Sequence, residues 1–167
     1  MKKLIMIGAV FILILSTTSF AFQNEPDGFR GLKWGDPPTE DMVFVKTIDD
    51  IKGYFRKDEK MNIGDATLRM IVYQFYDDPE RFNGVLMLFN KEENYDILED
   101  ILQVRFGEET ESDMLYKLSW EGQETYVELD YDMFEESGTL IFASVPITLE
   151  MMEAKKQKQA EKAEGDF

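Results

Sequence analysis

Neither cysteine nor histidine occurs in this chain of 167 residues. With both missing, no Ser-His-Asp or Cys-His nucleophile pair can form, and no zinc site can be built on imidazole or thiolate. Disulfides and a lipid-attachment cysteine are excluded for the same reason. Phosphate-binding signatures are missing too: there is no G-x-x-x-x-G-K loop, and no G-x-G-x-x-G opens a helix. Hydrolytic, redox and nucleotide chemistry of the familiar kinds is therefore not expected, and no cofactor is implied. Positive charge is the next scarcity, with 18 Lys and Arg against 34 Asp and Glu and a formal net charge of −16. Outside the C-terminal tail the bases lie singly or in pairs among acids, so nucleic acid and anionic lipid surfaces would repel the chain. A cationic partner would be attracted, although such acidity also serves solubility.

Long apolar runs are equally few. The run from Leu4 to Leu15 follows Lys2 and Lys3 and precedes a polar stretch containing Ser19 and Ala21. This layout predicts a secretory signal peptide over 1–21, with Ser19 and Ala21 at the −3 and −1 positions and a mature chain from Phe22. A retained anchor is the alternative, but the run has 12 residues where a crossing helix needs about 20. The expectation is an exported protein, periplasmic or secreted, with no membrane insertion after signal cleavage. The remaining 146 residues (167 − 21) carry a net charge of −18 (16 − 34) and suffice to bury a core without covalent staples. One domain is expected over 22–149, followed by a charged helical tail over 150–167 that frays into solvent.

Periodicity supplies the fold class. Between Asp65 and Phe89 two apolar runs flank the turn residues Asp77, Asp78, Pro79 and Glu80, which predicts a long antiparallel hairpin. Strict alternation would put Leu68, Met70, Val72 and Tyr76 on one face and Thr67, Arg69, Ile71, Tyr73 and Phe75 on the other. In the second strand it would separate Phe82, Leu86 and Leu88 from Val85, Met87 and Phe89. Both faces are apolar, so the hairpin belongs in the middle of a sheet. The spacing of Tyr95, Leu98, Ile101, Leu102 and Phe106, widened by Ile97 and Val104, predicts a helix over 91–106. Asn90 and Glu93 have capping-box spacing, and Gly107 is a natural stop. Further strands are read over 114–120, 125–131 and 139–145. "VFVK" and "YFRK" are short strand candidates, and "PPTEDM" reads as a helix start with Pro38 in its first turn. The final helix should dock through Leu149, Met151 and Met152. Together these give an α+β fold: an antiparallel sheet of about five to seven strands packed on one principal helix, with a C-terminal helix or tail. A β-sandwich is the competitor, and the helix weighs against it.

Candidate chemistry is limited to carboxylates. A glycosidase needs two of them about 5 to 9.5 Å apart across a cleft; with 34 acids some pair meets that spacing by chance. Glu128 and Asp130 share the polar face of their strand with Tyr126. The acidic stretch "DYDMFEES" offers Asp130, Asp132, Glu135 and Glu136 as hard oxygen ligands for calcium, but it departs from an EF-hand loop, with Phe134 at the fifth position and Glu135 where glycine belongs. An acidic hairpin loop is the simpler reading.

The least ordinary stretch is "FRGLKWGDPPTEDM", Phe29 to Met42. Arg30 and Trp34 are a candidate interaction surface, since these residue types are common interface anchors. Alternatively Phe29, Leu32 and Trp34 pin the first turn to the core while Gly31 and Gly35 permit tight backbone geometry. The motif F-R-G-L-K-W-G, with the later "IGDATLRMIVYQF" and "RFG", resembles a family of small exported bacterial proteins opening with F-R-G-[IL]-x-W-G. The resemblance covers Phe29 to about Gly107 and implies export and a shared fold; it carries no activity and no catalytic residue. The function expected is an exported, non-enzymatic binding module with a partner in the envelope. The alternatives are a carboxylate hydrolase acting on envelope polysaccharide and a calcium-dependent envelope protein.

Overall fold

A computed structural model describes residues 22–76, 79–114 and 116–163. The expected signal peptide, Asp77 and Asp78 of the expected turn, Leu115 and the last four residues lie outside the described residues. In chain order the elements are β1 (Gly28–Phe29), β2 (Leu32–Lys33), β3 (Met42–Ile48), β4 (Ile51–Arg56), β5 (Asn62–Ile63), β6 (Ala66–Tyr76), β7 (Arg81–Asn90) and α1 (Glu92–Phe106). They continue with β8 (Glu111–Met114), β9 (Lys117–Glu121), β10 (Thr125–Asp132), β11 (Ser137–Ser144) and α2 (Val145–Ala163). The fold is α+β. Eight antiparallel strands run in the order β3-β4-β6-β7-β11-β10-β9-β8, with β5 paired beside β6 and β1 with β2 as a separate ribbon. The edges are therefore β3 and β8.

The central pair β6–β7 sets the register for the rest, and it departs from strict alternation twice. Leu68 pairs with Phe89 but Met70 with Leu88, so Arg69 is an extra residue in β6. Gln74 pairs with Gly84 but Phe75 with Phe82, so Asn83 is an extra residue in β7. A bulge moves everything beyond it to the opposite face. Ala66 and Leu68 thus share the core face with Ile71, Tyr73 and Phe75, and Phe82 shares it with Val85, Met87 and Phe89, all of them buried. The expectation that Leu68 faces with Met70, and Phe82 with Leu86, is corrected on this account. Opposite Phe89, Gly138 leaves room for the ring: a Cβ there would lie 2.2 Å from Phe89 Cζ.

Helix α1 covers this face through Tyr95, Leu98, Leu102 and Phe106. Val104, expected to widen the stripe, is 89% exposed. Asn90 is not the cap: it is the last residue of β7, and α1 begins after Lys91, whose φ of 71° breaks the chain direction without any side-chain cap bond. Asn94 does the local work instead, donating from Nδ2 to the Asn90 carbonyl (2.8 Å) and accepting the Thr67 N–H at Oδ1 (2.8 Å). Gly107 ends the helix at φ 87°, as expected.

Three further expectations change. "PPTEDM" forms no helix; residues 36–41 are loop and turn leading into β3. The single strand expected over 114–120 is two strands, β8 and β9, folded on each other with Tyr116 at φ 67° between them. Helix α2 docks through buried Ile147, whereas Leu149 and Met152 are exposed. Ion pairs trace the course of α2 across the strand ends: Glu150 to Arg81 at the start of β7, then Lys155 to Asp49 and Lys158 to Asp50 at the β3–β4 turn.

A lysine at positive φ is strained where glycine is not. Lys91→Gly is expected to stabilise the protein by about 1 kcal/mol, the relief of strain exceeding the added freedom of the unfolded chain. Urea unfolding would show a raised midpoint at unchanged slope; a lowered midpoint would mean that Lys91 is not strained.

Candidate functional site

The stretch from Phe29 to Gly35 lies on the core face, beside α1. Phe29 packs on Phe142 (ring centroids 5.6 Å apart) and Tyr73 (6.1 Å), and Trp34 stacks on Phe82 (4.9 Å). The indole Nε1 donates to Thr125 Oγ1 (2.7 Å), which in turn donates to the Pro26 carbonyl. Main-chain bonds close the turn onto β7: Gly35 N–H to the Phe82 carbonyl (2.9 Å) and Phe82 N–H to that of Asp36 (2.8 Å). Gly31 and Gly35 have φ of 83° and 88°, the left-handed geometry the turn needs.

Arg30 is committed internally. Its guanidinium pairs with Glu59 and donates to the carbonyls of Lys60 (2.6 Å) and Asn62 (2.6 Å). The Glu59 side chain, 10% exposed, also accepts the Tyr73 hydroxyl (2.5 Å). Burial first, and then the Glu59 carboxylate, push the Tyr73 hydroxyl well above its usual pKa. Arg56 lies over the Tyr73 ring at 4.9 Å. The polar groups of Arg30 and Trp34 are thus satisfied within the fold, which is what a staple requires.

The acidic candidates do not converge. Asp132 accepts the N–H groups of Phe134 (2.7 Å) and Glu135 (3.1 Å), the task of a turn residue. Among the described residues no group of three or more acids is arranged to hold a metal ion. On the polar face of β10, Glu128 accepts from Tyr126 (2.5 Å) and pairs with Lys117 (3.2 Å), while Asp130 stands half-buried beside them. A carboxyl that sequence reasoning passed over is Glu99 on α1. Its pKa is raised by burial first and then by the charges of Glu109, Asp96 and Asp100. Glu99 and Glu109 are joined through the Gln103 amide, 3.3 Å from each. Crowding of like charges along a helix is what so acidic a composition produces.

A different surface stands out. Six large apolar side chains are exposed in and around the β3–β4 hairpin: Val43, Phe44, Val45, Ile48, Phe55 and Met61. Strand β3 is the sheet edge, and from Val43 to Ile48 it is exposed throughout. Its pairing with β4 slips at Val45, a bulge that leaves Val45, Lys46 and Ile48 beside a groove of about 490 Å³. Phe55, Val72 and Leu86 form much of the groove's wall. On the other face Phe44 packs edge-on against Tyr54 (5.6 Å). The opposite sheet edge, β8, reads Glu-Ser-Asp-Met. The sequence signal was the run "MVFV", apolar at consecutive positions as in a strand covered on both faces.

The inner strand of the hairpin is anchored by side-chain bonds. Glu80 pairs with Lys52 (2.5 Å) and accepts the Tyr54 hydroxyl (2.8 Å), tying β4 to the turn before β7. The Lys52 bond holds the Glu80 carboxyl below its usual pKa, and burial raises that of the Tyr54 hydroxyl to about 12. Among the described residues, the fold and this surface define an α+β domain with one open apolar edge, β3. No family model, curated protein or solved structure matches the chain at a significant level.

Removing one partner of a half-buried ion pair strands the other. Arg30→Met should cost about 2 to 3 kcal/mol in urea unfolding, and adding Glu59→Gln in that background should recover about 1 kcal/mol. Additive losses would mean that the two are uncoupled. Glu80 has a depressed folded pKa, so its contribution is present above the unfolded value and lost as pH falls through the folded one. The gap in melting temperature between wild type and Glu80→Gln should therefore be full at pH 7 and shrink below about pH 4.5. A gap independent of pH would sever the Lys52 link.

Proposed function

We propose that the protein is an exported, non-enzymatic interaction module that binds a protein partner of the envelope across edge strand β3 and the groove beside it. Export rests on the signal-peptide pattern at 1–21. The observation that carries the docking site is the exposure of Val43, Phe44, Val45 and Ile48, at 46%, 52%, 40% and 55%, on a strand with one edge unpaired among the described residues. Exposed apolar edges invite strand addition, and native proteins ordinarily blunt them with charge. Here β8 is blunted and β3 keeps only Lys46 and the bulge at Val45. The bulge favours a short added segment whose apolar side chains enter the groove over a long continuous ladder. With 34 acids against 18 bases, the segment's host is expected to be cationic.

A displayed library of peptides, selected on the wild-type protein, tests this. Val45→Lys and Ile48→Lys lie on exposed positions and should move stability by no more than about 0.5 kcal/mol. Selected peptides should be basic, with alternating apolar residues, and should lose about tenfold or more in affinity for either variant. Peptides indifferent to both variants would place binding elsewhere. Self-association in sedimentation, abolished by Val45→Lys, would assign the edge to a second copy of this chain and overturn the partner reading.

A further inference from the structure

On the covered side of the sheet, away from β3, a cleft of about 450 Å³ opens between α1 and the segments 26–30 and 60–64. Its size falls within the range of small-molecule sites, about 300 to 1,000 Å³. The partly exposed Phe29, Ile63 and Ile101 supply an apolar wall, and Leu102, Phe106 and Phe142, which also border the cleft, are buried. Three cations, Arg30, Lys60 and Arg105, also line the cleft, and no acid does. Drawn at random from 34 acids and 18 bases, three charged side chains would include about two acids. An acid stands in the wall of each of the clefts beside Asn94, Met61 and Gly107, and in the β3 groove.

The cations differ in their freedom. Arg30 is fixed by Glu59 and two carbonyls, so its charge is largely compensated where it stands. Lys60 and Arg105 are exposed at the mouth, and neither has an ion-pair partner among the described residues. The Arg105 guanidinium lies 5.9 Å from the centre of the Phe106 ring, at the junction of charged mouth and apolar wall. The floor is well defined: Asn62 donates to the Gly64 carbonyl (2.6 Å), and Arg30 holds the Asn62 carbonyl.

We propose that this cleft binds an amphipathic carboxylate, its apolar chain against Phe29, Ile63 and Ile101 and its head group at Arg105 and Lys60. A guanidinium is a good match for a carboxylate, and an aliphatic body suits a wall of one phenylalanine and two isoleucines. In so acidic a molecule the two uncompensated cations select the anionic head, while the apolar wall binds the chain without regard to charge. The site is independent of the β3 edge, and either can stand without the other.

Calorimetric titration of the full protein with decanoate, and with decanol as a neutral probe of the same length, tests the proposal. Decanoate should bind saturably with one site per chain, and decanol about tenfold more weakly or worse, the loss of one charge-assisted contact. In the double variant Lys60→Gln/Arg105→Gln, decanoate should fall to the level of decanol, with the melting temperature and decanol binding unchanged. Equal affinity for the two probes, or decanoate binding intact in the double variant, would remove the anion site. No saturable binding of decanoate would remove the cleft as a site altogether.

Discussion

Side chains on a β-strand alternate between faces without exception unless a residue is inserted, and in this fold two insertions decide which residues become core. Without Arg69 as an extra residue in β6, Ala66 and Leu68 would point away from Ile71, Tyr73 and Phe75. Without Asn83 in β7, Phe82 would leave the side of Val85, Met87 and Phe89. The two bulges gather eight large side chains on one face, where α1 and residues 22–35 cover them. The same shift sends Met70, Val72 and Leu86 to the other face, where they meet the β3–β4 hairpin and form the groove. Core and candidate surface are thus two results of one choice of register. The choice has a cost: Asn83 is buried with its side-chain oxygen unpartnered, a penalty on the order of 1 to 3 kcal/mol that aromatic burial must offset.

Once the core face is aromatic, the turn at 29–35 has something to grip. Phe29, Leu32 and Trp34 bring apolar area worth about 1.5 to 3 kcal/mol for each side chain fully buried, and less for the half-buried Phe29 and Trp34. The Arg30–Glu59 pair contributes less in net terms, because both groups lose water to form it. Its effect is positional. By holding the Lys60 and Asn62 carbonyls and, through Glu59, the Tyr73 hydroxyl, it fixes the 59–62 loop over β6 and thereby shapes one wall of the cleft beside Arg105. Hydrophobic contact supplies the stability here, and the polar network supplies the geometry.

Much of this was legible from residue order alone. Helix α1 was legible because its buried positions, Tyr95, Leu98, Leu102 and Phe106, keep helical spacing and because Gly107 ends it. The β10 strand was legible because Thr125, Val127, Leu129 and Tyr131 alternate cleanly with polar residues, and all four are buried. Bulges were not legible, since an inserted Arg69 or Asn83 leaves the local apolar content unchanged while reversing its direction. The cap at Asn90 failed because β7 claimed that residue as its last paired position, opposite Ser137. Residue type left Arg30 and Trp34 open to two readings, interface anchor or core staple, because the partners that decide it, Glu59 and Thr125, lie 29 and 91 positions away. The β3 surface was visible only as an apolar run, because which strand lies at an edge is a property of pairing order.

An apolar edge must also survive without a partner, and the charge of the molecule bears on this. At net −16, two copies approaching edge to edge repel each other over a Debye length of about 8 Å at physiological ionic strength. Repulsion acts before the short-range hydrophobic attraction between the β3 strands can begin. The Val45 bulge adds a geometric barrier, since two bulged edges cannot pair continuously. A cationic partner of the kind proposed would meet neither obstacle: the long-range field would attract it, and a short segment would need to pair on one side of the bulge only. On the proposed reading, charge and bulge together would favour a foreign cationic strand at this edge over a second copy of the chain.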